Sequence, residues 1–163
     1  VNLFLQCCCA ESTVSKKCLD ISLVGGSSTT FQRQELASGF EPDACFYIAH
    51  AAQVRGKKRI NLAKDPPPDL VIEIDITSPA LKKFPIFAAL QVPEVWRYAA
   101  ETITLHKFVE GDYAELASSE ALPGVTGAAL AQLLVASQQL TRTAWLRQVR
   151  AYGQTLAPAK PGL

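Results

Sequence analysis

At 163 residues, 48% of them apolar and 19% charged, the chain suits one globular domain over 1–163, able to bury about two thirds of its unfolded surface. A formal net charge of +1 excludes a domain-wide positive field of the kind that announces a nucleic-acid partner, so only local patches could supply one. No run of about 18 or more apolar residues is present, which excludes a transmembrane helix and a membrane partner of that kind.

Residues 1–25 are atypical. Val1 to Ala10 is apolar and superficially like a lipoprotein signal ending in cysteine, but it has no basic n-region and too short an h-region. The chain contains no methionine, even at position 1, and the expectation is that its true start is truncated or misread. Five cysteines, three of them adjacent at Cys7, Cys8 and Cys9, fit neither a CxxC metal knuckle nor a spaced disulfide framework, so reduced thiols in a cytoplasmic protein are expected. Ile21 to Val24 reads as a strand closed by Gly25-Gly26, and Arg33 to Gly39 as a short helical turn ended by its glycine.

Two Pro-Asp dipeptides then open β-like apolar runs, Asp43-Ala-Cys-Phe-Tyr-Ile-Ala and Asp69-Leu-Val-Ile-Glu-Ile-Asp-Ile. Between them lies a basic connection, Arg55-Gly-Lys57-Lys58-Arg59, and the rigid run Pro66-Pro67-Pro68. Paired antiparallel about a midpoint near Lys58, the strands put Asp43 across from Glu73, because opposed positions in a hairpin keep a constant sum. Asp69 would lie four residues along, about 13 Å from Glu73. Alternation places Asp69, Val71, Glu73 and Asp75 on one face, expected to look into a cleft, and Leu70, Ile72, Ile74 and Ile76 on the other. Ser78 and Pro79 can open a helix that Pro85 must kink or restart. Glu94 to Tyr98, Thr102 to Phe108 and Tyr113 to Leu116 read as a three-strand meander, and helices over about 128–137 and 141–153 close the domain.

Carboxylates in an apolar strand are costly to bury unless paired, protonated or bound to a cation. A metal-dependent nuclease needs two acids to hold Mg²⁺ through oxygen and a lysine to steady the attacking water, and Asp43, Glu73 and Lys83 are of those types. The competing explanation is that Asp43 and Asp69 merely start strands after proline and that Glu73 pairs with a nearby base. The basic cluster at 55–59 reads as a solvated loop rather than a phosphate contact, and Arg142, Arg147 and Arg150 read equally as phosphate contacts or as a polar helix face. His50 and His106 stand alone, without partners at ligand spacing, and Trp96 and Trp145, with Leu133, Leu134, Leu146 and Val149, read as core.

The order of Gly26-Ser-Ser-Thr-Thr, Glu41-Pro-Asp-Ala-Cys-Phe-Tyr-Ile48, Pro68-Asp-Leu-Val-Ile-Glu-Ile-Asp-Ile-Thr77, Lys83-Phe-Pro-Ile-Phe-Ala-Ala-Leu90 and Val92-Pro-Glu-Val-Trp-Arg-Tyr98 strongly resembles one family over roughly residues 26 to 153. It is the Uma-type restriction-endonuclease family, greatly expanded in cyanobacteria, of the PD-(D/E)xK nuclease superfamily. The resemblance implies an α/β (α+β) fold with a mixed sheet flanked by helices, and a Mg²⁺-dependent endonuclease acting on DNA, with Mn²⁺ as a substitute ion. It implies Asp43 and Glu73 as metal ligands, with Asp69 or a backbone carbonyl as a further one, and Lys83 as the catalytic lysine rather than its neighbour Lys82. Asp75 departs from the superfamily pattern by standing where its usual lysine would be, and residues 1–24 lack the family's usual opening strand pair and helix. An inactive remnant that keeps the fold as a nucleic-acid-binding or interaction module is the alternative reading, and a homodimer built on the meander and terminal helices is a third.

Overall fold

The computed structural model describes residues 24–25, 42–57, 60–75 and 83–156. Six strands form one mixed sheet in sequential order: β1 Val24–Gly25, β2 Ala44–Tyr47, β3 Leu70–Asp75, β4 Glu94–Ala99, β5 Thr102–Val109 and β6 Asp112–Leu116. All neighbours are antiparallel except β3 and β4, which run parallel. A parallel pair needs a crossover. It carries the short helix α2, Phe84–Ala89; α1, Ala51–Val54, lies in the β2–β3 connection, and α3, Gly127–Gln139, and α4, Arg142–Thr155, follow the sheet.

Helices cover both faces of the sheet. On one, Phe46, Leu70, Ile72, Trp96 and Leu105 pack with Leu130 and Leu134 of α3. On the other, Cys45, Val71 and Val95 meet Phe84 and Phe87 of α2. The α+β architecture, the meander, both terminal helices and the tryptophan core follow the sequence expectation; Trp145 is fully buried and its indole N–H donates to the Leu133 carbonyl at 2.7 Å.

Two expectations need correction. The face bearing Val71 and Glu73 is covered by α2 and does not open as a broad cleft: Val71 is 0% and Glu73 1% exposed. Pro85, expected to kink or restart a helix opened at Ser78, stands where α2 begins, residues 76–82 lying outside the described residues. It sits in the first turn of α2, where its missing N–H has no intrahelical partner to lose. The β2–β3 connection is not a plain loop but contains α1, whose Ala51 and Val54 pack under Tyr47. The helical turn at 33–39, the cap at Ser78 and most of the strand at 21–24 lie outside the described residues.

Gly127 opens α3 where the helix presses on β5. A Cβ at this position would stand 2.0 Å from the Ile103 carbonyl oxygen, inside any real contact distance. Because that neighbour is backbone in a paired strand, it cannot rotate away. Gly127→Ala is therefore expected to destabilise the fold by about 3 kcal/mol, the upper part of the overpacking range, read as a lower urea midpoint. An unchanged midpoint would show that the α3–β5 contact is looser than its geometry.

Candidate functional site

The register of β2 on β3 pairs Ala44 with Ile72, Cys45 with Val71 and Phe46 with Leu70. Continued by one residue, the same register sets Asp43 opposite Glu73. Asp43 is exposed at the start of β2, and its Oδ2 accepts the amide N–H of Ile74 at 2.8 Å, which fixes the carboxylate beside β3. Lys83, at the N-cap of α2, reaches across the crossover and donates through Nζ to Glu73 Oε2 at 2.6 Å. The three residues singled out in the sequence thus come together from β2, β3 and the start of α2.

Glu73 is unlike the other buried acids. Glu94, 2% exposed, accepts from the Trp96 indole at 2.5 Å and from the amides of Glu120 and Ala121 at 2.9 Å each. Asp69, also buried, accepts from the amides of Ile48 and His50 at 2.6 and 3.1 Å and meets His50 Nδ1 at 2.6 Å. Glu73 has Lys83 on one oxygen, while Oε1 is the one buried side-chain oxygen or nitrogen among the described residues without a hydrogen-bond partner. An orphaned buried oxygen carries a free-energy cost of about 1–3 kcal/mol and asks for a partner. Burial pushes the Glu73 carboxyl above its ordinary value of 4.5 and the charge of Asp43 adds to the push, while Lys83 and the Asp43 amide pull the other way.

A divalent cation fits this arrangement. Glu73 Oε1 is unclaimed, and the amide of Ile74 takes only one of the two Asp43 oxygens. Among the described residues no group of three or more metal-ligating side chains exists, so the protein would supply two carboxylates. That suits Mg²⁺, which keeps several waters and is commonly held by one or two carboxylates. The structure does not bring Asp69 to this pair: its oxygens tie the end of β2 to the turn before α1, at the opposite end of β3. The Asp69–His50 contact is one the sequence reading missed, and so is the partner of His106, whose Nε2 lies 2.9 Å from Thr104 Oγ1. Burial holds the His106 imidazole below its ordinary value; Glu115 opposes this and Arg97 adds to it.

Asp75, the acid standing where the superfamily's lysine would be, makes an ion pair with Arg97: Nη2 and Nε donate to Oδ2 at 2.7 and 2.8 Å. The basic connection between β2 and β3 is partly explained as well, since Lys57 pairs with Asp65. Arg142, Arg147 and Arg150 lie exposed on α4. Among the described residues no helix is long and apolar enough to cross a membrane.

Nothing among curated proteins matches the chain. Among solved structures it is similar to the "Crystal structure of a putative nuclease belonging to DUF820" from Anabaena variabilis ATCC 29413, at 12% identity and a TM-score of 0.48, over 90% of this chain and 77% of that one. The family model described as "Uma2: Putative restriction endonuclease" matches residues 8–142, a span that contains Asp43, Glu73 and Lys83, and the chain belongs to that family.

Proposed function

We propose that the chain is a Mg²⁺-dependent endonuclease that hydrolyses phosphodiester bonds in DNA, with Asp43 and Glu73 as metal ligands and Lys83 as the catalytic lysine. The observation that carries this reading is the unpartnered Oε1 of buried Glu73, whose Oε2 meets the Lys83 ammonium and whose carboxyl feels the charge of Asp43. When bound, the cation would polarise the phosphoryl oxygen and make an attacking water a better nucleophile at neutral pH.

The chain's own residues supply the remainder. Asp43, braced on the Ile74 amide, and Glu73, rigid within the sheet, fix two oxygens on adjacent strands. Lys83 is 37% exposed while its partner Glu73 is buried, so its ammonium bridges the protein interior and the surface a DNA strand can reach. There it orients the attacking oxygen and offsets negative charge as it grows on the phosphoryl group. Asp69 is left out, because its hydrogen bonds already commit both of its oxygens.

The test is Mg²⁺ titration by calorimetry on the purified chain and its Asp43→Asn variant, with a plasmid-nicking assay of both. Ion binding is expected to weaken by at least tenfold in the variant, and nicking to fall by about 10³-fold, of the order seen when a group that stabilises the transition state is lost. Nicking that survives chelation, or equal nicking by Asp43→Asn, would remove the assignment. DNA binding with no Mg²⁺-dependent cutting in either protein would establish the binding-module reading instead.

A further inference from the structure

Resting on the nuclease reading, we propose that Arg97 is a substrate-positioning residue that grips the DNA phosphate next to the scissile one, and that Asp75 aims it. Arg97 is the register partner of Glu73 across the parallel β3–β4 pair, so both side chains leave the same face of the sheet from backbones about 4.8 Å apart. Asp75 lies two residues beyond Glu73 on that face, about 6.6 Å along the strand, a step close to the spacing of successive phosphates.

The hydrogen bonding leaves the arginine with a working edge. Nε and Nη2 both donate to one oxygen of Asp75, so one side of the guanidinium is committed. These two bonds account for two of its five N–H groups. Nη1, with the second N–H of Nη2, forms another fork directed away from Asp75, and such a fork matches two phosphate oxygens. Arg97 keeps 24% of its side chain exposed while Asp75 keeps 10%, as expected if the acid is the fixed base and the cation the reaching part.

Charge balance asks for such a group. An incoming phosphate meets the carboxylates of Asp43, Glu73 and Asp75, while the Lys83 ammonium is already engaged with Glu73. A permanently charged guanidinium, turned outward by a neighbouring acid, supplies a second anchor for the strand. It also accounts for an acid where a cation is usual: Arg97 on β4 brings a positive charge to this side of Glu73, and Asp75 holds it there.

The experiment combines binding and turnover. In a Glu73→Gln background, affinity for a short labelled duplex is followed by fluorescence anisotropy against salt in chelator; with Glu73 intact, plasmid nicking in Mg²⁺ gives KM and kcat. Arg97→Gln is expected to lower the slope of log K against log salt by about 0.9, the loss of one phosphate contact. Its KM should rise roughly tenfold, the worth of one charge-assisted hydrogen bond, with kcat within about twofold. Arg97→Lys should keep the salt slope, because the charge remains, yet still raise KM, because the fork is gone. Since Arg97→Gln takes an ionic partner from the half-buried Asp75, Asp75→Asn/Arg97→Gln serves as the folding control and should show the same losses. An unchanged slope and KM in the double variant, with the parent nicking normally, would make the pair a plain structural strut and leave the nuclease reading standing. A parent that neither binds nor nicks DNA would overturn both.

Discussion

Glu73→Gln is expected to reduce plasmid nicking to background, a loss of at least about 10³-fold, while leaving the protein as stable as the parent or more so at neutral pH. Most buried acids show the opposite pattern, because they are satisfied and their removal breaks something. Glu73 is 1% exposed, its Oε1 has no hydrogen-bond partner, and burial raises its carboxyl above the ordinary value. The sign of the pH dependence follows from that shift. Since the folded state holds the Glu73 proton more tightly than the unfolded chain, the Glu73 contribution to stability is fully present below pH 4.5 and is lost as pH rises through the folded-state value. In metal-free buffer the parent should therefore lose stability over that rise relative to Glu73→Gln, which has nothing to titrate there. Adding Mg²⁺ should return the stability to the parent only, by about 2.7 kcal/mol when the ion is at one hundred times its Kd. Melting temperatures of the two proteins across pH, with and without the ion, check all three statements. A Glu73→Gln protein that melts far below the parent in metal-free buffer at pH 7 would mean that the glutamate holds the fold together and is not a site waiting for a ligand.

The second large effect belongs to Lys83. Lys83→Met keeps most of the aliphatic stem but removes the ammonium 2.6 Å from Glu73 Oε2, leaving a buried carboxylate without its cation. Breaking a fully buried pair this way costs about 3–5 kcal/mol; with Lys83 37% exposed and Glu73 free to take up a proton, about 2 kcal/mol at neutral pH is expected. Activity should fall by about 10²-fold or more, since charge on the transition state loses its offset. The two losses have separable origins. Glu73→Gln/Lys83→Met should recover the stability, because no charge is left unpaired, and none of the nicking. Chemical denaturation of the four members of this mutant cycle isolates the pair's own contribution. If the double variant is as unstable as Lys83→Met alone, the lysine acts through packing and not through its charge on Glu73.

How far the sequence reading reached depended on how local each interaction was. The hairpin sum that set Asp43 against Glu73 needs only two apolar runs and a midpoint, and the observed pairing Ala44 to Ile72 has the same sum. Lys83 was singled out through the family resemblance, and the structure sets it at the N-cap of α2 in contact with Glu73. The role of Arg97 was not legible, because the offset of a parallel pair is set by the length and path of its crossover and no symmetry rule supplies it. Without that offset Asp75 could be described only by what it was not. The Asp69–His50 contact was hidden for a related reason: α1 shortens the β2–β3 connection and folds His50 back onto the end of β3, where an extended loop would have carried it away. The burial of Glu73 was misjudged because alternation reports which face a residue is on, and it says nothing of whether a six-residue helix lies over that face.

The sequential strand order has a consequence for when the candidate site is assembled. Every antiparallel neighbour pair joins strands adjacent in the chain, and the tight turns of the meander bring β4, β5 and β6 together at little entropic cost. The β3–β4 pair is parallel, and its closure is what draws α2, and Lys83 with it, onto the strand that carries Glu73. A ribosome-bound chain that ends before β4 has no neighbour for β3 on that side and no means of holding the lysine in place. The acids could already meet across β2 and β3 at that stage. Docking of the lysine thus waits on the β3–β4 pairing, and a chain halted before β4 carries the two acids without the strand that draws Lys83 onto them.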